Sequence, residues 1–358
     1  MGSQRPAGSG SSPASTLYDV ARAAGVSTAT VSRVVHGQER VRLSTRRRVL
    51  DAIDALGYVP DGAAQSLAQR RKEVIGLVAV ESRGPETDVE REAFLFIEEV
   101  LRGVERPLGD LGWSVLISFL RGSGLASAYQ RMQKISAKVD GMIIAEGIAD
   151  PAQLALLAAR IPITLIAAYP EGLDADVIGV DNRSGTTAAV SHMIERHGRT
   201  RLFYIAGPPE APDARERRSA FEEAVAAHPG AAVAGVFEGR FAAISGQLAV
   251  REILSAPRRD LPDAIICGND QTAIGAMREL QAAGLRVPAD VGVVGFDDMH
   301  LSALLAPPLT TVRQPMRLLG ERACSRLLER IADPSLPTRS ERLPATLIIR
   351  ESCGCPPS

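Results

Sequence analysis

The sequence predicts an all-α headpiece followed by a two-lobed α/β body, and three observations carry that reading. Residues 16–60, TLYDVARAAGVSTATVSRVVHGQERVRLSTRRRVLDAIDALGYVP, place their apolar positions three and four residues apart in three short runs, which is the helical period. From Val74 onward short apolar runs alternate with helical segments, the pattern of parallel sheets covered on both faces. Charge divides at the same boundary: residues 1–72 hold eleven Lys and Arg against five Asp and Glu, and the remainder holds 30 against 37. A net value of −1 hides a cationic front and an anionic back.

The first helix starts at Thr16, which caps it with Asp19 three residues on, the spacing at which two side chains satisfy each other's orphan amides. Leu17, Val20, Ala21 and Ala24 form its inward stripe, and Gly25 ends it by taking the left-handed conformation at low cost. Val26 plugs the corner. Ser27 opens a second helix with Val31, Val34 and Val35 facing in and Thr28, Ala29, Ser32, Arg33 and His36 facing out. A helix of that size and polarity fits a DNA major groove. The third, roughly Ser44 to Leu56, adds Val49, Ile53 and Leu56 to the small core and carries Arg46, Arg47 and Arg48 near its start. This basic front suits phosphate neutralisation, which weakens with salt. Asp61 to Gln69 would make two turns of helix, too short to be stable alone and weakened by Gly62, so residues 61–72 are expected to be a hinge that orders on binding.

Residues 1–15, MGSQRPAGSGSSPAS, have no apolar segment and read as a disordered tail rather than a signal peptide. With no membrane span, cytoplasmic residence is expected, and export as a solute-binding protein is disfavoured. Cys267, Cys324, Cys353 and Cys355 are too few and too unevenly spaced for a disulfide framework, and the CGC pair lacks other zinc ligands nearby. No metal and no cofactor are expected.

In the body, VIGLVAV (74–80), WSVLISF (113–119), DGMIIAE (140–146), ITLIAA (163–168) and VIGV (177–180) are strands before Asp181. RLFYIAG (201–207), AVAGVF (232–237), DAIICGND (263–270) and VGVVGFDD (291–298) follow it. Two similar lobes result, with a ligand expected between them at the carboxyl ends of the strands. LTTVRQP (309–315), a helix from Met316 to Ile331 and RLPATLIIRES (342–352) are expected to cross back between lobes. No Gly-rich phosphate loop, serine elbow or metal triad stands where strands end, so an enzyme is not expected.

LYDVARAAGVSTATVSRVVHG, GYVPDGAAQSLA, GNDQTAIGAM, VGVVGFDD and PPLTTVRQPMRLLGERA together resemble the landmarks, in order, of the LacI/GalR family of bacterial transcription repressors. The resemblance covers Thr16 to about Ser352. It implies a helix-turn-helix headpiece and a periplasmic-binding-protein-like (type I) effector domain. It also implies a repressor of carbohydrate uptake or metabolism genes, controlled by a small sugar or sugar derivative, with a nucleobase or protein corepressor as the rival effector.

The resemblance carries over by residue. Thr28, Ala29 and Arg33 match positions that touch base edges, and Ser27, Thr30 and Ser32 match capping or phosphate-contacting ones. Thr16, Leu17 and His36 complete the DNA-facing set on the headpiece. The Arg33 fork suits guanine O6 and N7. Leu67 matches a hinge leucine that wedges between central base pairs from the minor groove, with Ala64 its small neighbour. Asp61 and Gly62 depart from the amide and basic residues of well-known members, and Arg42 stands where many have a small hydroxyl cap. In the cleft, Arg217 matches a sugar-hydroxyl fork, Asn269 and Asp297 polar anchors, Gln314 an anchor on a crossover and Phe241 an aromatic platform, with Asp213 near Arg217. A pyranose suits that mixture of donors and acceptors. Read from residues alone, Asn269 and Asp270, like Asp297 and Asp298, are equally N-caps, and Arg215, Arg217 and Arg218 equally a solvated face.

In the first lobe Ala145 and Ala167 replace polar residues of the family, and Glu146, Tyr169, Arg83 and Glu90 are possible substitutes. No leucine heptads follow Arg350. A homodimer on a pseudo-palindromic operator is therefore expected, without a tetramer-forming tail. The expected division is a tail at 1–15, headpiece at 16–60, hinge at 61–72, effector and dimerisation domain at 73–352 and a tail at 353–358.

Overall fold

The computed structural model describes residues 15–35, 41–58, 71–81, 89–121, 125–145, 150–168, 173, 175–257, 259 and 261–356. The chain forms two units, Met1–Lys72 and Glu73–Ser358.

In the first unit, α1 (Leu17–Ala24), α2 (Thr28–Val35) and α3 (Leu43–Leu56) pack around Val20, Ala21, Ala24, Val31, Val34, Val49 and Ala52. The capping box forms: Thr16 N donates to Asp19 Oδ2 at 3.0 Å, and Asp19 N donates to Thr16 Oγ1 at 3.3 Å. Gly25 takes φ +63° at the end of α1. Arg48 reaches across to that end, donating from Nη2 to the Ala24 carbonyl at 2.6 Å. That arginine ties α3 to α1. Arg42, at the N-cap of α3, makes no side-chain cap, as a long cation at a hydroxyl's position dictates.

The second unit contains β1 (Val74–Glu81), α4 (Val89–Gly109), β2 (Ser114–Arg121), α5 (Leu125–Ser136), β3 (Gly141–Ala145), α6 (Pro151–Ala158), β4 (Ile163–Ile166) and β5 (Asp176–Val180). Next come α7 (Asn182–Ser191), running into a π-helical turn (His192–Arg196), β6 (Arg201–Ile205), α8 (Pro212–Ala226), β7 (Ala232–Phe237), α9 (Ala243–Leu254), β8 (Ala264–Cys267) and α10 (Asp270–Ala282). The chain continues through β9 (Gly292–Asp297), β10 (Thr310–Arg313), α11 (Met316–Ala332), β11 (Ser340–Leu343) and β12 (Thr346–Ile348). Two six-stranded sheets result, ordered β11-β5-β4-β3-β1-β2 and β12-β10-β9-β8-β6-β7. All neighbours are parallel except β10 and β12.

Alternation along the strands shows why both faces are covered. Ile143 and Ala145 enter one core while Met142 and Ile144 enter the other, and in the second lobe Phe203 and Ile205 are divided from Leu202 and Tyr204 in the same way. The edge strands depart from this: the first three residues of β7 are exposed, and β2, β11 and β12 also carry exposed residues.

The last segments do cross back. β10 belongs to the second sheet, α11 packs Leu319, Ala323 and Leu327 into the first lobe, β11 extends the first sheet and β12 returns to the second. The lobes are thus joined by three short segments, 180–182, 313–316 and 343–346. Helix α11 meets α4 at backbone distance: a Cβ on Gly103 would lie 1.9 Å from the Arg317 carbonyl oxygen, and one on Gly320 2.0 Å from that of Val100. Buried Asp176 accepts from Arg326 Nε and from the Arg339 amide, each at 2.8 Å, which pins β11 beside β5.

The expected tail at 353–358 needs correction. Ser352 and Cys353 are fully buried, and Ser352 Oγ bonds both Val293 O (2.6 Å) and Thr310 N (2.8 Å). These residues finish the second lobe, so the body runs past Ser352.

Candidate nucleic-acid interface and ligand cleft

On the headpiece, Ser27 caps α2, its Oγ accepting from the Thr30 amide at 3.2 Å and lying 3.0 Å from Thr30 Oγ1. With Val31 and Val34 turned into the core, the opposite face of α2 presents exposed Ala29 and Arg33 with half-exposed Thr28, Thr30 and Ser32. Arg33 is the long donor on that face, a single planar fork among small side chains. Thr16 is exposed but engaged in its capping box, and Leu17 is half-buried against the core. His36, Ala64 and Leu67 lie outside the described residues.

In the body the candidate ligand residues divide. Arg217, on α8, is 4% exposed, which rules out a solvated helix face for it. Its Nε donates to Asn182 Oδ1 at 2.8 Å and its Nη1 to the Gly268 carbonyl at 2.7 Å. Asp213 Oδ2 lies 3.7 Å from Nη2, and Asp297 Oδ1 3.8 Å from Nη1. The guanidinium carbon stands 3.7 Å from the Phe296 ring centroid and 5.7 Å from that of Phe241, within reach of cation–π attraction. Burial pushes the Asp213 carboxyl up, against the opposing pull of Arg217. Arg215 and Arg218 do behave as a surface face: Arg215 reaches the Pro209 and Glu210 carbonyls, and Arg218 pairs with Glu222 and Glu238.

Asp297 closes β9 with φ +123° and accepts from Gln314 Nε2 at 2.5 Å. That bond links the second-lobe strand end to the crossover running into α11. Phe241, also at positive φ, lies over Gly207 so closely that a Cβ there would sit 2.2 Å from the ring. Asn269 is the N-cap of α10, its Oδ1 accepting from Thr272 N at 3.1 Å while its Nδ2 donates to the Phe241 carbonyl at 2.9 Å. Its helix-capping role is therefore real, and its other edge holds the loop that carries the aromatic ring. A cavity of about 790 Å³ adjoins Asp297 and Gln314 and is walled by Leu95, Glu98, Met299 and His300. Arg83, Glu146 and Tyr169 lie outside the described residues, and of Glu90 only the helical backbone is described.

Asn182 was missed by reading the chain, and Asp270 was read only as an N-cap, a place that Asn269 takes. Asn182 is fully buried at the first crossover; besides accepting from Arg217, its Nδ2 donates to Asp213 at 2.9 Å and Glu216 at 3.1 Å. The DN pair just after VIGV at a lobe boundary was the available signal. Asp270 accepts from Thr311 Oγ1, from Ser302 Oγ and, at 2.9 Å, from the Met299 amide. It anchors the loop after Asp297. Burial pushes its carboxyl up to about 6, although the Ser302 and Thr311 hydroxyls pull the other way.

A trihelical reader with an exposed arginine fork, followed by two parallel-sheet lobes of which the second buries a polar cluster at its strand ends, defines a ligand-responsive DNA-binding regulator. Residues 16–61 match the family model of bacterial regulatory proteins of the lacI family, and residues 190–353 match that of the periplasmic binding protein-like domain. The chain is 32% identical over 340 residues to the HTH-type transcriptional repressor PurR of Aliivibrio fischeri strain MJ11, covering 94% of this chain and 98% of that protein. It is 33% identical over 345 residues to the ribose operon repressor of Escherichia coli K12, with the same coverage. The crystal structure of the lac repressor dimer bound to operator and the anti-inducer ONPF superposes with a TM-score of 0.82 at 30% identity, over 95% of this chain and 99% of that one. The chain belongs to the lacI family of bacterial regulatory proteins and is a DNA-binding transcriptional repressor. Among the described residues no helix is long and apolar enough to cross a membrane.

Proposed function

We propose that this repressor acts as a homodimer on a pseudo-palindromic operator controlling carbohydrate uptake or metabolism genes, in the cytoplasm at the nucleoid, and that a small sugar or sugar derivative controls it. The observation that carries the effector reading is the buried Arg217, held over the Phe296 ring and flanked by Asp213, Asn182 and Asp297. Arg and carboxylate groups at such spacing grip adjacent hydroxyls in pairs, each pair contributing about 1–3 kcal/mol. Phe241 supplies the apolar face that a pyranose ring stacks upon.

In this reading Thr28, Ala29 and Arg33 meet base edges, Ser27, Thr30 and Ser32 position the helix on phosphates, and Leu67 with Ala64 acts at the minor groove. A ligand hydroxyl competing for Asp297 frees Gln314, and the crossover 313–316 then shifts α11 against the first lobe. A tenfold change in operator affinity requires the effector to favour one body conformation by about 1.4 kcal/mol. The similarity to PurR favours a second reading, a nucleobase effector stacked on Phe241. Thermal-shift screening of the full chain against sugars and nucleobases tests the choice. Stabilisation by a sugar, lost in Arg217→Lys, supports the first reading; stabilisation by purines and by no sugar rejects it.

A further inference from the structure

The CGC pair near the end of the chain has partners that sequence spacing conceals. His192 Nε2 lies 3.4 Å from Cys353 Sγ, 3.7 Å from Cys355 Sγ and 3.2 Å from His197 Nε2, while His197 Nε2 lies 3.4 Å from Cys355 Sγ. All four ligand atoms fall within 4.8 Å of one another. A tetrahedral zinc ion with bonds of about 2.05 Å to nitrogen and 2.3 Å to sulfur sets edges of about 3.3 Å between nitrogens, 3.6 Å between nitrogen and sulfur and 3.8 Å between sulfurs. Four of the six separations match those edges to within about 0.2 Å, and the other two are no longer than 4.8 Å, so small side-chain adjustments complete the tetrahedron.

We propose that His192, His197, Cys353 and Cys355 form a closed, four-coordinate zinc site that staples the end of the chain to the second lobe. The backbone is arranged for it in two places. His192 and His197 are five residues apart, a spacing that in an ordinary α-helix turns side chains about 140° away from each other. Here the helix widens into a π turn over His192–Arg196, and the two rings meet edge to face at 4.9 Å between centroids. Single π turns recur at functional sites for this reason. Opposite them, Gly354 takes φ +113°, where a Cβ would sit 3.2 Å from His197 Nδ1. Glycine takes that positive φ without strain, and a side chain there would also crowd the His197 ring.

The donor set suits the ion. Two thiols deliver their protons to solvent on binding and coordinate as thiolates, and the two imidazoles enter neutral, leaving a charge-neutral site. Four protein ligands leave no open position, so the site is structural rather than catalytic. The residues being fastened bear weight: Ser352 and Val293 exchange backbone and hydroxyl bonds at 2.9 and 2.6 Å, and Cys353 lies wholly inside the second-lobe core. The His-x4-His spacing falls within common zinc-finger usage, whereas Cys-x-Cys is tighter than usual.

Tag-free, full-length repressor purified under reducing conditions tests the site by elemental analysis and by cobalt substitution. About one zinc per chain is expected, and after chelation cobalt should restore the intense visible bands of tetrahedral coordination with a thiolate-to-cobalt charge-transfer band. Cys355→Ser should weaken zinc binding at least tenfold and diminish that band, while Cys267→Ala leaves both intact. Should Cys355→Ser not fold, the wild-type chain decides alone: zinc must slow alkylation of Cys353 and Cys355 and raise the melting temperature. Absence of stoichiometric metal after zinc is supplied to reduced protein, or cobalt spectra of six-coordinate type, overturns the proposal.

Discussion

Replacing Arg217 by Ala probes whether the polar cluster at the second-lobe strand ends is held together by that one side chain. The change removes hydrogen bonds to Asn182 and Gly268 and strips the neighbouring cation from Asp213 and Asp297, both under 10% exposed. Breaking a buried pair typically costs about 3–5 kcal/mol. With carboxylate distances of 3.7 and 3.8 Å, beyond hydrogen-bond length, the lower figure of about 3 kcal/mol applies. At roughly 2 °C per kcal/mol for a body this size, the melting temperature should fall by about 6 °C. The loss should also depend on pH. Asp213 already has its folded pKa raised by burial, and without Arg217 it rises further. An acid so shifted binds its proton more firmly folded than unfolded, so stability present below the unfolded value is lost as pH climbs through the folded one. The deficit should therefore be larger near pH 7.5 than near about pH 5. Scanning calorimetry at the two pH values reads it, and Arg217→Met with Asp213→Asn should lose less than the two single changes together. An unchanged melting temperature, or a deficit equal at both pH values, would refute the argument.

Three further outcomes follow from other parts of the molecule. Arg33→Ala should cost about 1–3 kcal/mol in operator affinity while leaving weak binding to random DNA nearly intact; equal losses on both duplexes in a salt titration would count against base reading. Thr16→Ala should remove the α1 cap and destabilise the headpiece by about 0.5–2 kcal/mol with no change in effector binding, as measured by hydrogen exchange confined to the first unit. Gly320→Ala should force α11 off α4, at a cost of about 1–3 kcal/mol, because its Cβ would fall 2.0 Å from the Val100 carbonyl oxygen; a melting temperature at or above wild type would show that the crossing is not tight.

Much of the fold was legible because it rests on local spacing. Thr16 and Asp19, Gly25 and the valines of α2 each follow from rules that operate within four residues, and the strand runs from Val74 to Asp297 stand out because strands buried on both faces are almost wholly apolar. The cleft was legible only in part. Arg217 looked as much like a surface arginine as Arg215 and Arg218 do, and only the packing of α8 against the first crossover buries one of the three. Asn269 satisfied two readings because it performs both tasks, capping α10 and holding the Phe241 loop.

Determined by the chain itself were the three-helix reader, its separation from the body, the alternation that makes two parallel-sheet lobes and the identity of most polar groups at the strand ends. What only the tertiary structure decided were meetings across long stretches of chain: Asn182 with Arg217 and Asp213, Asp270 with Thr311 and Ser302, and His192 and His197 with cysteines 158 to 163 residues away. Helical and strand periods are written in nearest neighbours, whereas these meetings depend on the order in which strands close into sheets and, for the cysteines, on the return of β12 to the second sheet. No local spacing encodes which distant side chains that closure brings face to face.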